Sequence, residues 1–295
     1  MTDSSMEAIR AATGLTGIVA EIVLGIVIIL ILYITLAVSD FVFTNLSTMW
    51  RDRVELFPDT YLSGSKMYTA IQNPSNPNAK TIWFSDNQRS GVEFSFSLFI
   101  NIASTTFSDG DHSLYHIMHK GYSNPYPLMQ PGIFCWGDSN KLRIYVNCYD
   151  TWDNYVEIEN IPVDKWFHFT LTCKGNTMYI YINGNLKRKM PFSNNTPAYQ
   201  NFGNVYLFST RKVSLSKNIT LSLERDPELL LLQGNSGVNF NGAAKGQVSR
   251  VYYFGYALTY TEIQTLINMG PAPVTILNDL DAKLSDTWWV NNQGP

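Results

Sequence analysis

The stretch Ile22–Val38 constrains this chain most, because only Tyr33 and Thr35 interrupt an otherwise apolar run. With Gly17–Ala20 in front of it, the apolar segment reaches the roughly 20 residues that a helix needs to cross a bilayer. A core helix of a globular domain would carry a polar face, and this run has none. A secretory signal would show a charged start, a shorter apolar core and a small-residue cleavage site. The sequence offers none of these convincingly, so the expectation is a retained transmembrane helix over residues 16–40, behind an N-terminal tail over 1–15. Glu21 is the one ionisable group inside the segment, and it lies near enough to the N-terminal edge to reach lipid headgroups.

Orientation follows from few charges. Arg10 and the terminal amine precede the helix, whereas Arg51 and Arg53 follow it. The positive-inside rule therefore leans toward a cytosolic C-terminal part. Cys135, Cys148 and Cys173 are odd in number, lie in strand-like runs and contain no C-x-x-C pair. They read as buried thiols on a reducing side, not as a disulfide scaffold or a zinc site. Sequons at Asn45, Asn194 and Asn218 are no more than chance supplies in so Asn-rich a chain. A net charge of −3 gives no field that would draw nucleic acid. The short basic run Lys187–Lys189 reads as a solvated hairpin edge that deters edge-to-edge pairing.

After the helix, residues 41–56 read as a stalk, and period-two patterning then takes over. Phe94, Phe96, Leu98 and Ile100 share one face of a strand, with Glu93, Ser95 and Ser97 on the other. Leu142, Ile144 and Val146 share another such face, as do Phe167, Phe169 and Leu171, and Met178, Ile180 and Ile182. Asn183-Gly184 supplies the positive backbone angles of a tight hairpin turn. One helix is marked by Thr259 as N-cap, Glu262 three residues on, an Ile263/Leu266/Ile267 stripe and a Gly270-Pro271 stop. Residues 211–240 read as an insertion. The tail over 272–295, with Trp288 and Trp289, is expected to pack back on the domain or to meet a partner.

The order of motifs carries a resemblance. "FSFSLFI" (Phe94–Ile100) is followed by the stretches His119–Asn147, Ile161–Leu186 and Phe240–Pro271. Within them lie Trp166-x-His168, the Tyr181–Gly184 hairpin, and a closing strand and helix around "YALTYTEIQ". In this order they resemble the laminin-G/pentraxin branch of the concanavalin A-like lectin/glucanase sandwiches, over roughly residues 90–271. The anchor and Asn-rich loops are similar to proteins of nucleocytoplasmic large DNA viruses. The resemblance implies an all-β, two-sheet concanavalin A-like jelly-roll sandwich over 57–271 with one short C-terminal helix. It does not fix a ligand, since the fold serves many functions.

The related glucanases make the carboxylates worth testing. A retaining glycosidase needs two carboxyl groups about 5–5.5 Å apart. Glu224, Asp226 and Glu228 have the spacing, but Arg225 and Pro227 stand where a strand needs core-facing apolar residues. His112, His116 and His119 would gather on a helix; on a strand, His119 faces away from the other two. His168 reads as a hydrogen-bonded structural residue. The most ligand-like loop is Cys148–Glu159, where Asp150, Asp153 and Asn154 offer oxygens for calcium or sugar hydroxyls and Trp152 or Tyr155 offers a stacking face. No catalytic residue, cofactor or metal ligand is assigned.

These residues lead to a membrane-anchored, non-enzymatic structural or interaction protein. Its partners would be the bilayer through 16–40 and another protein through the sandwich. In a virus the partner would be a capsid protein, with the chain in an internal membrane and its domain on the cytosolic, capsid-facing side. A surface lectin that binds glycans is the alternative, and a glycoside hydrolase the third.

Overall fold

The computed structural model describes residues 7, 11, 18–51, 53–85, 92–107, 110–124, 128–216, 219–225, 228–234 and 237–276. Contacts divide the chain into two units, Met1–Asp52 and Arg53–Pro295.

The first unit contains the helix α1 (Ile18–Arg51). Its segment Glu21–Ser39 is long and apolar enough to cross a membrane, and none of that window is buried. At 1.5 Å per residue, such a segment is about 28 Å long, close to the hydrocarbon thickness of a bilayer. Ile29 and Leu36 are each 68% exposed. The Thr35 hydroxyl donates to the Ile31 carbonyl at 2.8 Å, so it needs no water to be satisfied. The segment 41–56, expected as a stalk, is helix to Arg51 and strand from Arg53.

The second unit is a sandwich. Its first sheet has seven strands in the order β10 (Asn185–Pro191), β9 (Thr177–Ile182), β8 (Phe167–Lys174), β3 (Glu93–Ile102), β16 (Gly246–Phe254), β1 (Arg53–Leu62) and β17 (Thr275–Ile276). The second runs β12 (Lys212–Leu215), β15 (Val238–Ala243), β4 (Leu114–Gly121), β5 (Gly132–Trp136), β6 (Leu142–Tyr145) and β7 (Tyr155–Ile158). Against β4 also lies β11 (Asn204–Leu207), which in turn pairs with β2 (Tyr68–Ala70). Pairing is antiparallel except for β1 with β17 and β15 with β4. The expected insertion at 211–240 contributes β12 and part of β15 to the sheet edge. Between them β13 (Ile219–Arg225) and β14 (Glu228–Gly234) form a separate two-stranded sheet.

The faces that alternate in the sequence are the faces that meet. Phe94, Phe96, Leu98 and Ile100 of β3 join Phe169, Leu171, Ile180 and Ile182 in one core with Ile133, Leu142 and Ile144 of the second sheet. Burying each such side chain contributes about 1.5–3 kcal/mol. The three cysteines are buried and free. Burial pushes the thiols of Cys135 and Cys148 up to about 12, which leaves them without thiolate at neutral pH.

The outer face of the first sheet is covered by α2 (Tyr260–Met269), whose Ile263 and Leu266 pack on Tyr252, Phe254 and Leu258. Thr259 and Glu262 form a reciprocal capping box, and Gly270 ends the helix at φ 63°. Asn183 and Gly184 take φ 49° and 77° in the hairpin turn between β9 and β10. A Cβ on Gly184 would collide with the side chain of Gln264 and crowd Ile267. The glycine therefore serves both the turn and the seating of α2.

Candidate binding site

The site grows from β6, where alternation sends Leu142 and Ile144 into the core and Arg143 and Tyr145 to the outer face of the second sheet. Arg143 stands in register with Glu157 on β7. Its guanidinium donates to Glu157 through Nε at 2.9 Å, with a second nitrogen 2.7 Å away, and to the Tyr145 hydroxyl at 3.2 Å. The cation lies over two aromatic faces, 4.5 Å from the Trp136 ring and 4.1 Å from Tyr155. Trp136 Nε1 also donates to Glu157 Oε1 at 2.9 Å. Beyond Trp136 the stack continues to His112, with centroids 4.4 Å apart and Nδ1 2.6 Å from Asp138. Burial alone would raise the Glu157 carboxyl, but hydrogen bonds from Trp136 and Arg143 outweigh it and hold the group below its ordinary range.

The result is a ledge, His112–Trp136–Arg143–Tyr155, with the Arg143 charge paired to Glu157 and His112 bonded to Asp138. Tyr155 is 38% exposed and the His112 side chain 77%. Such a ledge offers flat rings and polar edges, which suit stacking and hydrogen bonding to a protein or a sugar. A planar guanidinium suits this position in a way a lysine would not. Arg143, Trp136 and His112 were not foreseen as a group. The signal was present in the outward register of Arg143, opposite Glu157.

The expected loop residues have divergent places. Asp150 accepts from Asn194 Nδ2 at 2.9 Å and from Thr196 Oγ1 at 2.8 Å, which ties its loop to the segment after β10. Trp152 is fully buried beside Phe134 and Tyr145, and its carbonyl accepts from Asn147. Its ring closes the outer-face cluster and is not available to stack on a sugar. Asn154 is also buried, and its carbonyl accepts from the Val146 N–H. Asp153 is half-buried. Tyr155 alone joins the ledge. Among the described residues no three His, Cys, Asp or Glu side chains are placed to hold a metal ion.

The remaining candidates resolve separately. Glu224 ends up on β13 and Glu228 on β14, with Arg225 opposite Glu228, so the carboxylates do not share one strand; Asp226 lies outside the described residues. His168 Nε2 meets Ser97 Oγ at 2.9 Å, and Nδ1 meets Thr170 Oγ1 at 3.3 Å. Both Ser97 and His168 are 1% exposed, which closes the pair to substrates. Burial holds His168 at about 4 and so neutral.

One histidine expectation fails. Strict alternation places His119 opposite His116, but the register of β4 on β5 shifts between His116 and Met118. That bulge brings the two rings together, with His116 Nε2 2.6 Å from His119 Nδ1. The chain has one consistent set of neutral tautomers. The Ser209 N–H donates to His116 Nδ1, His116 donates through Nε2 to His119 Nδ1, and His119 donates through Nε2 to the Tyr122 carbonyl. Burial lowers both rings from their ordinary value.

Known proteins give the fold context. Residues 75–214, just under half of the chain, match the family described as the concanavalin A-like lectin/glucanases superfamily. No curated protein matches the sequence. Among solved structures the chain is similar to the binding domain of Paraclostridial Mosquitocidal Protein 1, at 13% identity and TM-score 0.43, covering 71% of this chain and 42% of that one. It is also similar to the receptor binding domain of botulinum neurotoxin D, at 14% identity and TM-score 0.41, covering 70% of this chain and 43% of that one. The chain thus spans less than half the length of these structures. What those toxins bind is a property of their own domains. The sandwich itself is of the concanavalin A-like class.

Proposed function

We propose that this chain is a membrane-tethered, non-enzymatic binding protein. The α1 helix holds it in a bilayer, and the concanavalin A-like sandwich docks on another protein through the Tyr155 end of the ledge. The observation that carries this reading is the α1 surface, apolar and open on all sides over Glu21–Ser39, which water does not stabilise and lipid does. The ledge supports it by presenting the Tyr155 ring and the His112 imidazole at the surface, held by the buried Trp136 and the largely buried Arg143 beneath them. In a virus particle, the setting suggested by the similarity to large DNA virus proteins, the domain would link an internal membrane to the capsid layer. Protease protection in sealed membranes tests this. The reading expects the sandwich to be digested from the cytosolic face; full protection on that face overturns it.

Glycan binding on the exported side is the second reading, favoured by the exposed ring of Tyr155. It requires Tyr155→Ala to remove binding on a glycan array. A blank array with folded wild-type protein ends it.

A further inference from the structure

The covalent chain enters the sandwich at Arg53, the first residue of β1, and only Asp52 separates it from Arg51, the last residue of α1. Arg53 lies in register with Phe254 at the end of β16, and Phe254 with Ser95 near the start of β3. Glu93, at that start, stands beside Lys174, the last residue of β8. One end of the first sheet therefore collects the entry point, the start of β3 and the ends of β16 and β8. Its other end, at Ile102 of β3, is about 30 Å away along the strand.

Aromatic surface gathers at the entry end. The Trp83 carbonyl accepts from the Tyr253 hydroxyl at 3.1 Å, and the Ser85 hydroxyl accepts from the Glu93 N–H at 2.8 Å, which fixes residues 83–85 beside the start of β3. The Ser85 N–H donates to the Gln200 side chain at 2.9 Å, and Phe84 stacks on Phe202 with centroids 4.1 Å apart. Gly203 passes so close to the end of β4 that a Cβ on it would overlap the Gly121 backbone, and Tyr122 follows directly. Asn201 is buried, takes the Lys120 ammonium on its carbonyl and accepts the Gly203 N–H at 2.9 Å. The rings thus stand on an anchored backbone, so little freedom is lost when they meet a partner.

Among the described residues, Phe202 and Trp83 are the two most exposed large apolar side chains, at 78% and 76%, and Tyr122 is 51% exposed. Rings this open are costly in water. They suit the headgroup zone of a bilayer, where aromatic residues settle with an apolar body in lipid and any polar edge in water. The nearby Lys174 is compensated by Glu93 at 4.0 Å, so the recognition offered here is apolar and not ionic.

We propose that the aromatic rim formed by Trp83, Phe202 and Tyr122 inserts into the headgroup zone of the bilayer that holds α1, so that the sandwich rests on lipid as well as being tethered to it. This contact depends on α1 spanning that bilayer, the reading proposed for the whole chain. The connection selects lipid over another occupant, because a one-residue link gives the entry end a high effective concentration of membrane. The helical stretch 40–51 is about 18 Å long, so the contact requires it to lean along the surface and not stand upright. In the sequence, apolar residues recur there at 42, 46, 49 and 50, the i, i+4, i+7, i+8 spacing of a helix that lies on a membrane.

The test uses the full chain in phosphatidylcholine vesicles, with single nitroxide labels read for collision with oxygen, which concentrates in lipid, and with a water-soluble nickel chelate. The three native cysteines are buried, so the label reports an introduced thiol. Ile29→Cys reads α1, and Tyr122→Cys reads the rim. Lys165→Cys reads the far end of the sandwich, since the neighbouring Asp164 donates its N–H to the Ile102 carbonyl. The oxygen-to-nickel ratio at Tyr122→Cys is expected to be about threefold or more that at Lys165→Cys, as for a residue at the headgroup boundary. Trp83→Ser combined with Phe202→Ser, both at exposed positions, should bring it down to the Lys165→Cys value while Ile29→Cys stays lipid-like. Equal ratios at Tyr122→Cys and Lys165→Cys, with Ile29→Cys lipid-like, overturn the rim contact and leave the anchor standing. Low collision with both reagents at Tyr122→Cys means that protein covers the rim, and this also overturns the proposal. A water-like Ile29→Cys overturns anchor and rim together.

Discussion

Two buried polar clusters centre on β4, His116 and His119 on one face and Lys120 with the neighbouring Gln130 on the other, and they differ in how completely their hydrogen bonds close. On the outer face, His116 and His119 form a chain that runs from the Ser209 N–H to the Tyr122 carbonyl without a gap. On the inner face, Lys120 leans on Asn201, while the amide of Gln130 is open at both ends among the described residues. Burial alone does not separate the clusters, since His119 and Lys120 are 0% and 5% exposed. Satisfaction does. A closed network rigidifies and specifies a fold, whereas an open one costs stability.

The comparison breaks most sharply by substitution. His119→Ala removes the acceptor of His116 and the donor to Tyr122, and it leaves a void. Urea unfolding of the sandwich should show a loss of about 3–4 kcal/mol. Lys120→Met should move the other way, raising stability near pH 7 by about 2–3 kcal/mol once the lost contacts to Asn201 are subtracted. The sign follows from the folded value of about 7 lying below the ordinary 10.5. Between these values the unfolded chain binds more protons, so wild-type stability rises with pH and the advantage of Lys120→Met shrinks toward pH 10.5. A destabilised Lys120→Met variant would place Lys120 with the histidines as a structural group.

Acid sharpens the contrast next. His168 at about 4, together with the lowered His116 and His119, is neutral when folded and takes up protons when unfolded. Stability that is full above pH 6.5 should therefore be lost as pH falls toward 4, by about 3 kcal/mol from His168 alone. A flat stability profile over that range would contradict the neutral tautomer chain. The smallest effect is expected from Gln130→Leu, a gain of about 1 kcal/mol in thermal or urea unfolding from removing two unpaired polar atoms.

Much of this architecture was legible beforehand, because alternation and turn chemistry act locally. The β3, β8 and β9 faces, the Asn183-Gly184 turn and the Thr259–Glu262 box all follow from residue type and spacing. The site was harder to see because it depends on register. A one-residue bulge in β4 turned His119 to the side of His116, and the same shift points Lys120 inward. Trp152 looked like a stacking ring because aromatics in polar loops often are; here the loop folds it onto Phe134 and Tyr145. Arg143 and Glu157 became visible only when β6 and β7 were paired. Pairing between strands is a long-range fact that local pattern does not encode.

The central claim, a binding domain held in a bilayer by its own uncleaved helix, is tested most directly by alkaline extraction of membranes from cells making the full chain, with intact mass measured on both fractions. The account predicts a 33.4 kDa chain in the membrane pellet. Recovery of the chain in the supernatant, or of a species shortened by its first forty or so residues, would contradict it.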